Sequence, residues 1–223
     1  MSDLLAALTA HVNPAKADEM AAYHKVAREY LGVANPVIND LCANWRRDMT
    51  LDDRITGARD LWASNIHEAR IAAAKLLTQA RMRPDDGVWS TVCAWVPEFD
   101  AWAIADHACA AGDRRLLADP TRLDTVETWT TSDHMWSRRA AMVMTLPWTK
   151  QSHPKPEETA ARERILGWAA TYVTDHDWFI QKSISWWLRS LSRRDPDRVR
   201  AFLDAHGATM KPFARRDASR LLP

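Results

Sequence analysis

The apolar positions of this chain recur every three or four residues almost throughout, which is the spacing of amphipathic helices. Leu4 and Leu8 predict a first short helix. A longer helix is predicted from about Ala15 to Leu31, ended by Gly32 as a helix-terminating glycine. No segment shows sustained alternation of apolar and polar residues or a hairpin dipeptide, so the pattern requires no strands.

Proline and aspartate residues interrupt the helical pattern at short intervals, which predicts brief helices joined by tight connections. Helix pairs of this kind recur roughly every 35–45 residues, the period of HEAT-like repeats. We therefore predict an all-α fold, a HEAT-like helical repeat solenoid with a concave surface suited to a large elongated ligand, formed by one domain over residues 1–223. The segment from Thr149 to Glu158, rich in proline and polar residues, is the predicted flexible loop.

The composition is that of an ordinary globular protein, and no long uncharged apolar run is present, so a membrane span is excluded. The stretch Met1–Leu5 has no basic region ahead of an apolar core, and we expect no secretory signal. Cys42, Cys93 and Cys109 form no CxxC motif, which favours reduced thiols in the cytoplasm. His107 lies two residues from Cys109, but no second ligand pair follows, so no metal site and no cofactor are expected.

The net charge of +1 hides an asymmetry along the chain. From Lys182 onward there are ten basic and four acidic side chains, a local charge of +6 that leaves −5 for the rest. A basic end on a nearly neutral protein can steer a polyanion to one face. A solvated helix surface explains the same charges equally well, so both interpretations stay open.

The chain has twelve tryptophans. Most of them are expected to be packing residues, because tryptophan buries a large area wherever helices meet. Trp102 and Asp106 are four residues apart, which places the indole and the carboxylate on one helix face, one turn apart. Trp186 and Trp187 are adjacent and point about 100° apart on a helix, so one of them faces a ligand or solvent. By itself, Asp106 is equally well interpreted as a surface acid paired with a neighbouring base.

Together with the segment from Trp136 to Ala141, these clusters resemble the AlkD family of DNA alkylation-repair glycosylases, which are HEAT-like-repeat proteins. The resemblance extends over nearly the whole chain, through the motifs WxxxD, WxRRAA and IQKxIxWxLR in order. The other similar segments are Asn13–Ala17, Met20–Tyr23, Leu31–Val33, Pro36 and Pro212–Ala218. The chain departs from the family at Ala34, where well-known members carry glutamine, which puts one minor DNA contact in doubt.

The resemblance implies that Asp106 is the catalytic aspartate and that Trp102 and Trp186 flank the lesion. Trp187 is then the packing member of the tandem pair. The residues implied to contact DNA are Arg139, Tyr23, Arg189, Arg138 and Lys182.

The implied function is excision of cationic N3- and N7-alkylated purines by hydrolysis of the N-glycosidic bond, without an enclosing pocket for a flipped base. A carboxylate near C1′ suits this reaction because positive charge develops on the sugar. The implied partner is double-stranded DNA containing alkylated bases, so that the concave surface of the solenoid is a DNA-binding surface. The resemblance also implies a monomer that uses no cofactor and does not bind a membrane. The alternative is a non-catalytic HEAT-like scaffold that binds DNA or protein.

Overall fold

A computed structural model describes residues 3–223. Met1 and Ser2, the first residues of the stretch in which we expect no secretory signal, lie outside the described residues. Within the described part, the chain forms thirteen α-helices and no strand, which confirms the all-α prediction. The chain divides into two compact units, Met1–Ala118 and Asp119–Pro223. In residues 3–223 no helix is long and apolar enough to cross a membrane.

The first unit contains seven α-helices within its described residues. They are α1 (Asp3–Thr9), α2 (Pro14–His24), α3 (Asn35–Asp48), α4 (Leu51–Ala63), α5 (His67–Leu77), α6 (Asp86–Trp95) and α7 (Trp102–Ala118). Helix α5 is the core of this unit, since nearly every one of its residues is buried. It packs against its sequence neighbour α4 and against the alternate helices α3 and α7.

The second unit contains six α-helices. They are α8 (Leu123–Thr128), α9 (Met135–Met144), α10 (Pro156–Tyr172), α11 (Trp178–Leu191), α12 (Pro196–His206) and α13 (Pro212–Ser219). Helix α11 is the core helix here, and it packs against the alternate helices α9 and α13. Packing of alternate helices in each unit is consistent with stacked helix pairs of the HEAT-like kind.

The helix predicted from Ala15 to Leu31 is the main error of the sequence interpretation. Helix α2 ends at His24, because Lys25 adopts the left-handed conformation (φ 57°, ψ 30°). The following loop is fixed by a contact distant in sequence: the Glu68 carboxylate accepts hydrogen bonds from the backbone N–H groups of Leu31 (2.9 Å) and Gly32 (2.7 Å). A buried carboxylate that accepts two such bonds outweighs local helix propensity.

Gly32 is required in this loop for a different reason from the one predicted. Its φ is +72°, and a Cβ at this position would lie 2.1 Å from the carbonyl oxygen of Asn13. The loop therefore passes directly against the start of α2, and a glycine permits both the backbone conformation and the close approach.

Candidate active site and DNA-contacting residues

Trp102 and Asp106 lie on α7, one turn apart, as their spacing predicts. Trp102 is the first residue of the helix and remains 39% exposed, whereas Asp106 is half-buried. Phe99, which is 1% exposed, anchors the chain in the core just before the helix begins. Phe99 thus fixes the start of α7, with the Trp102 indole at the surface and the Asp106 carboxylate one turn later.

Tyr23 belongs to the same cluster. It lies at the end of α2 and is 69% exposed. Its ring meets that of Trp102 edge-on, with 6.3 Å between the centroids. This contact is a common geometry for aromatic pairs, and it places the phenol and the indole on one patch of surface.

Two histidines and a second tyrosine lie behind Trp102, and sequence reasoning missed all three. The His24 ring lies 5.7 Å from the Trp102 ring and 4.4 Å from the His67 ring. Tyr30 stacks on His67 at 4.9 Å. We call His24, Tyr30 and His67 the histidine cluster. The adjacency of Tyr23 and His24 was the only sequence signal, since the other contacts depend on the loop after α2.

Burial keeps this cluster uncharged. Desolvation, with smaller contributions from nearby His24 and Arg28, lowers the pKa of His67 to about 3. Desolvation is also the largest cause that lowers the pKa of His24, and it outweighs the opposite effect of the Glu68 carboxylate. Both imidazoles are therefore neutral at pH 7, and the support behind Trp102 adds no positive charge.

Arg28 ties the loop after α2 to the start of α7. Its side chain is 1% exposed and forms an ion pair with Asp100, two residues before Trp102. The Leu31 and Gly32 hydrogen bonds to Glu68 hold the far end of the same loop. The loop that carries Tyr30 is thus fixed at both ends, which fixes the rings packed against Trp102.

In the second unit, Trp187 is fully buried, which confirms its prediction as the packing member of the tandem pair. Trp186 is half-buried on the neighbouring face of α11. Gln181 of the same helix is structural: its amide donates to the carbonyl of Asp175 (2.9 Å), and its side-chain oxygen accepts from the backbone N–H of Lys211 (2.9 Å). These bonds tie α11 to the segments before it and after it.

Two of the predicted DNA contacts, Arg138 and Arg139, lie on α9. Arg138 donates from Nε (3.1 Å) and Nη2 (3.0 Å) to Asp175, and from Nη1 to the carbonyls of Ser132 and Asp133. Arg139 is 3% exposed, and its guanidinium lies 5.7 Å from the centroid of a Trp136 ring. Both side chains are held by protein groups, and their contact with phosphate stays a prediction.

The remaining predicted DNA contacts lie on α11. Lys182 is exposed, with Nζ 5.0 Å from the centroid of the Trp178 ring. Arg189 forms an ion pair with Asp217 of α13, and the same carboxylate accepts from the Ser185 hydroxyl at 3.0 Å. This ion pair gives Asp217 a structural role within the basic C-terminal segment.

The predicted site residues thus form two groups. The structure brings Tyr23, Trp102 and Asp106 together in the first unit. In the second unit, the packed helices α9 and α11 carry the other predicted residues. These are Arg138, Arg139, Lys182, Trp186 and Arg189.

Fold and site define an all-helical protein with an exposed tryptophan and a half-buried carboxylate on one helix face. The model of the DNA alkylation repair enzyme family matches residues 4–222, and the chain belongs to this family. The family resemblance found in the sequence is therefore confirmed, and membership gives the protein a role as an enzyme of DNA repair. A search of curated protein sequences found no match.

Solved structures support the fold. The chain is similar to a predicted DNA alkylation repair enzyme from Enterococcus faecalis, with a TM-score of 0.80 and 21% identity over 95% of this chain and 97% of that one. It is also similar to AlkD2 from Streptococcus mutans, with a TM-score of 0.64 and 16% identity over 94% of this chain and 98% of that one. At these identities the likeness establishes the fold alone.

Proposed function

We propose that this protein is a DNA glycosylase that excises cationic N3- and N7-alkylated purines from double-stranded DNA. The observation that carries the proposal is the half-buried Asp106 carboxylate one helical turn from the exposed indole of Trp102. Membership in the DNA alkylation repair enzyme family supports DNA as the substrate. The proposal adds the reaction: hydrolysis of the bond between C1′ and the base.

Alkylation of a purine ring nitrogen makes the base cationic and a good leaving group. When the bond from C1′ breaks, the base keeps the electron pair and becomes neutral, and positive charge develops on the deoxyribose. The Asp106 carboxylate stabilises that charge, and water adds to C1′ and loses its proton. A preorganised negative charge contributes on the order of several kcal/mol to such a barrier.

Trp102 and Trp186 hold the damaged nucleotide by its sugar in this scheme. The negative face of an indole attracts a cation by roughly 0.5–2 kcal/mol. Tyr23, whose ring meets Trp102 edge-on, extends the same aromatic surface toward the DNA. Recognition through sugar and backbone requires no enclosing base pocket, and it selects lesions whose charge already weakens the glycosidic bond.

The histidine cluster suits a site that must tolerate positive charge. A protonated imidazole behind Trp102 would repel both the cationic base and the developing cation on the sugar. Burial lowers the pKa of His67 to about 3 and so prevents this protonation at neutral pH. The histidine cluster therefore adds no positive charge beside the Trp102 ring at neutral pH.

The basic residues of the second unit are proposed to bind phosphates beside the lesion. Arg139 is the main contact in this proposal, with Arg138, Lys182 and Arg189 as support. The protein acts as a monomer in this scheme and uses no cofactor. The alternative, a non-catalytic scaffold that binds DNA or protein, is disfavoured because a scaffold has no need of a carboxylate beside an exposed indole.

Incubation of the purified protein with duplex DNA carrying N7-methylguanine or N3-methyladenine, in EDTA and without added metal, tests the proposal. Chromatography is expected to detect the free methylated base, and hot alkali to cleave the strand at the abasic site left behind. An unmodified duplex of the same sequence serves as the control. Duplex binding without base release would sink the catalytic claim and favour the scaffold.

A further inference from the structure

A second basic feature of the chain shares only Arg189 with the residues that the family resemblance identifies. A cleft of about 470 Å³ opens in the second unit, beside the C-terminal end of α11. Five of its lining side chains are cationic: Lys150, Arg189, Arg193, Arg194 and Arg220. We call it the basic cleft.

The charges of this cleft are poorly neutralised by the protein. Among the described residues, Asp217 is the one carboxylate within 4.0 Å of any of the five cations, and it contacts Arg189 and, at 3.9 Å, Arg220. The side chains of Lys150, Arg193 and Arg194 are exposed and have no carboxylate partner in the described part of the chain.

Some other arginines of this unit have a carboxylate partner. Arg138 has Asp175, and Arg198 has Glu163 at 2.8 Å, so these cations are compensated inside the protein. Three uncompensated cations around one concavity raise the local positive potential and attract an anion. Their number favours a ligand with several negative charges in a row.

We infer that the basic cleft binds the phosphodiester backbone of duplex DNA and extends the contact beyond the lesion. The inference rests on the proposed function for the identity of the polyanion. Four of the ten basic side chains from Lys182 onward line this cleft, which favours phosphate binding over a purely solvated surface as the role of that part of the C-terminal charge. A free phosphate ion shares the chemistry of a phosphodiester and is the rival ligand.

The test is the salt dependence of binding to an undamaged duplex, measured by fluorescence anisotropy. The logarithm of the binding constant falls with the logarithm of the salt concentration, by about 0.9 for each phosphate neutralised. Arg193→Ala with Arg194→Ala is expected to make this slope shallower by about 2. Adding Lys150→Ala is expected to remove about 1 more.

Two controls separate the cleft from net charge and from folding. Arg47→Ala with Arg81→Ala removes two exposed charges from the first unit and is expected to leave the slope near the wild-type value. Arg193→Lys with Arg194→Lys keeps the charge and is expected to restore the slope. An equal change in the cleft variant and the first-unit control, or no change in the cleft variant, would overturn the inference.

Side-chain Nε signals of ¹⁵N-labelled protein distinguish the ligands. Duplex DNA is expected to shift the signals of Arg193 and Arg194, and shifts with inorganic phosphate but not with duplex would refute DNA binding here. The outcome is separable from the proposed function. Base release with an unchanged salt slope in the cleft variant overturns the inference alone, whereas a shallower slope without base release overturns the glycosylase alone.

Discussion

The two units treat charge in opposite ways around their candidate functional residues. In the first unit, an exposed indole lies one helical turn from a half-buried carboxylate and packs near two histidines that burial keeps neutral. In the second unit, arginines cluster on and beside α11, and several have no carboxylate partner among the described residues. Under the proposed function, the first region favours a cation and the second favours an anion.

The difference indicates a division of labour in the proposed reaction. Stabilisation of a developing cation requires a fixed negative charge, which is the role proposed for Asp106. Binding to DNA requires the reverse, because the backbone is a polyanion. Substitutions in the first unit are therefore expected to change the rate of base release, and those in the second unit the affinity and its salt dependence.

The largest effect is expected for Asp106→Asn. Loss of the carboxylate charge is predicted to slow single-turnover release of N7-methylguanine by about 10²–10³-fold. Duplex affinity, measured by anisotropy, is predicted to change by less than about 3-fold, since one half-buried charge adds little to binding. Asp60→Asn, an exposed acid on α4, carries the same charge change and is expected to have no effect on the rate.

Arg138→Ala is expected to affect stability more than DNA binding. The guanidinium makes four hydrogen bonds, two of them to the Asp175 carboxylate. Their loss is predicted to lower the free energy of unfolding in urea by about 1–3 kcal/mol. The salt slope of duplex binding is predicted to change less than it does for the basic-cleft arginines. A slope change as large as theirs, with stability unaltered, would show that Arg138 is a primary phosphate contact.

The buried histidines predict a loss of stability in mild acid. The folded pKa of His67, about 3, is depressed below its ordinary value near 6.5, so the unfolded chain binds the proton first. Stability is therefore complete above about pH 6.5 and falls by about 1.4 kcal/mol per pH unit below it for each such group. His67→Phe, which keeps an aromatic ring but cannot titrate, is expected to reduce this pH dependence. An unchanged dependence between pH 4.5 and 6.5 would refute the role of His67.

The smallest effect is expected for Trp102→Leu. Replacing the indole by an aliphatic side chain removes the attraction of its π-face for the cationic sugar, worth roughly 0.5–2 kcal/mol. Single-turnover release is predicted to slow by about 2- to 30-fold. Trp102→Phe keeps an aromatic face and is expected to recover part of the loss. If both variants release base at the wild-type rate, Trp102 does not contact the reacting nucleotide.

The parts of the molecule that local spacing determines could be predicted from the sequence. The four-residue interval between Trp102 and Asp106 predicted their shared helix face. The adjacency of Trp186 and Trp187 predicted that only one of them packs in the core, and the family resemblance identified Trp187 as that one. The family resemblance supplied the candidate roles of the site residues, which remain predictions.

The histidine cluster could not be predicted, because contacts distant in sequence create it. The pattern after His24 continues to look helical, yet Glu68 accepts two backbone hydrogen bonds from residues 36 and 37 positions earlier and fixes a loop there. That loop brings Tyr30 onto His67. Spacing along one helix gives no information about a partner on another segment.

The separation of rate from affinity is tested most directly by combining Asp106→Asn with the Arg193→Ala, Arg194→Ala pair. The single-turnover rate constant and the duplex dissociation constant are measured for wild type, each variant and the combination. The free-energy loss of each variant is calculated from the ratio of its rate constant to its dissociation constant. If the carboxylate acts on the chemical step and the arginines act on binding, the losses of the two variants add to within about 0.5 kcal/mol. A combined loss smaller than the sum by more than about 1 kcal/mol would show that these residues act as one unit, and would contradict the division of labour.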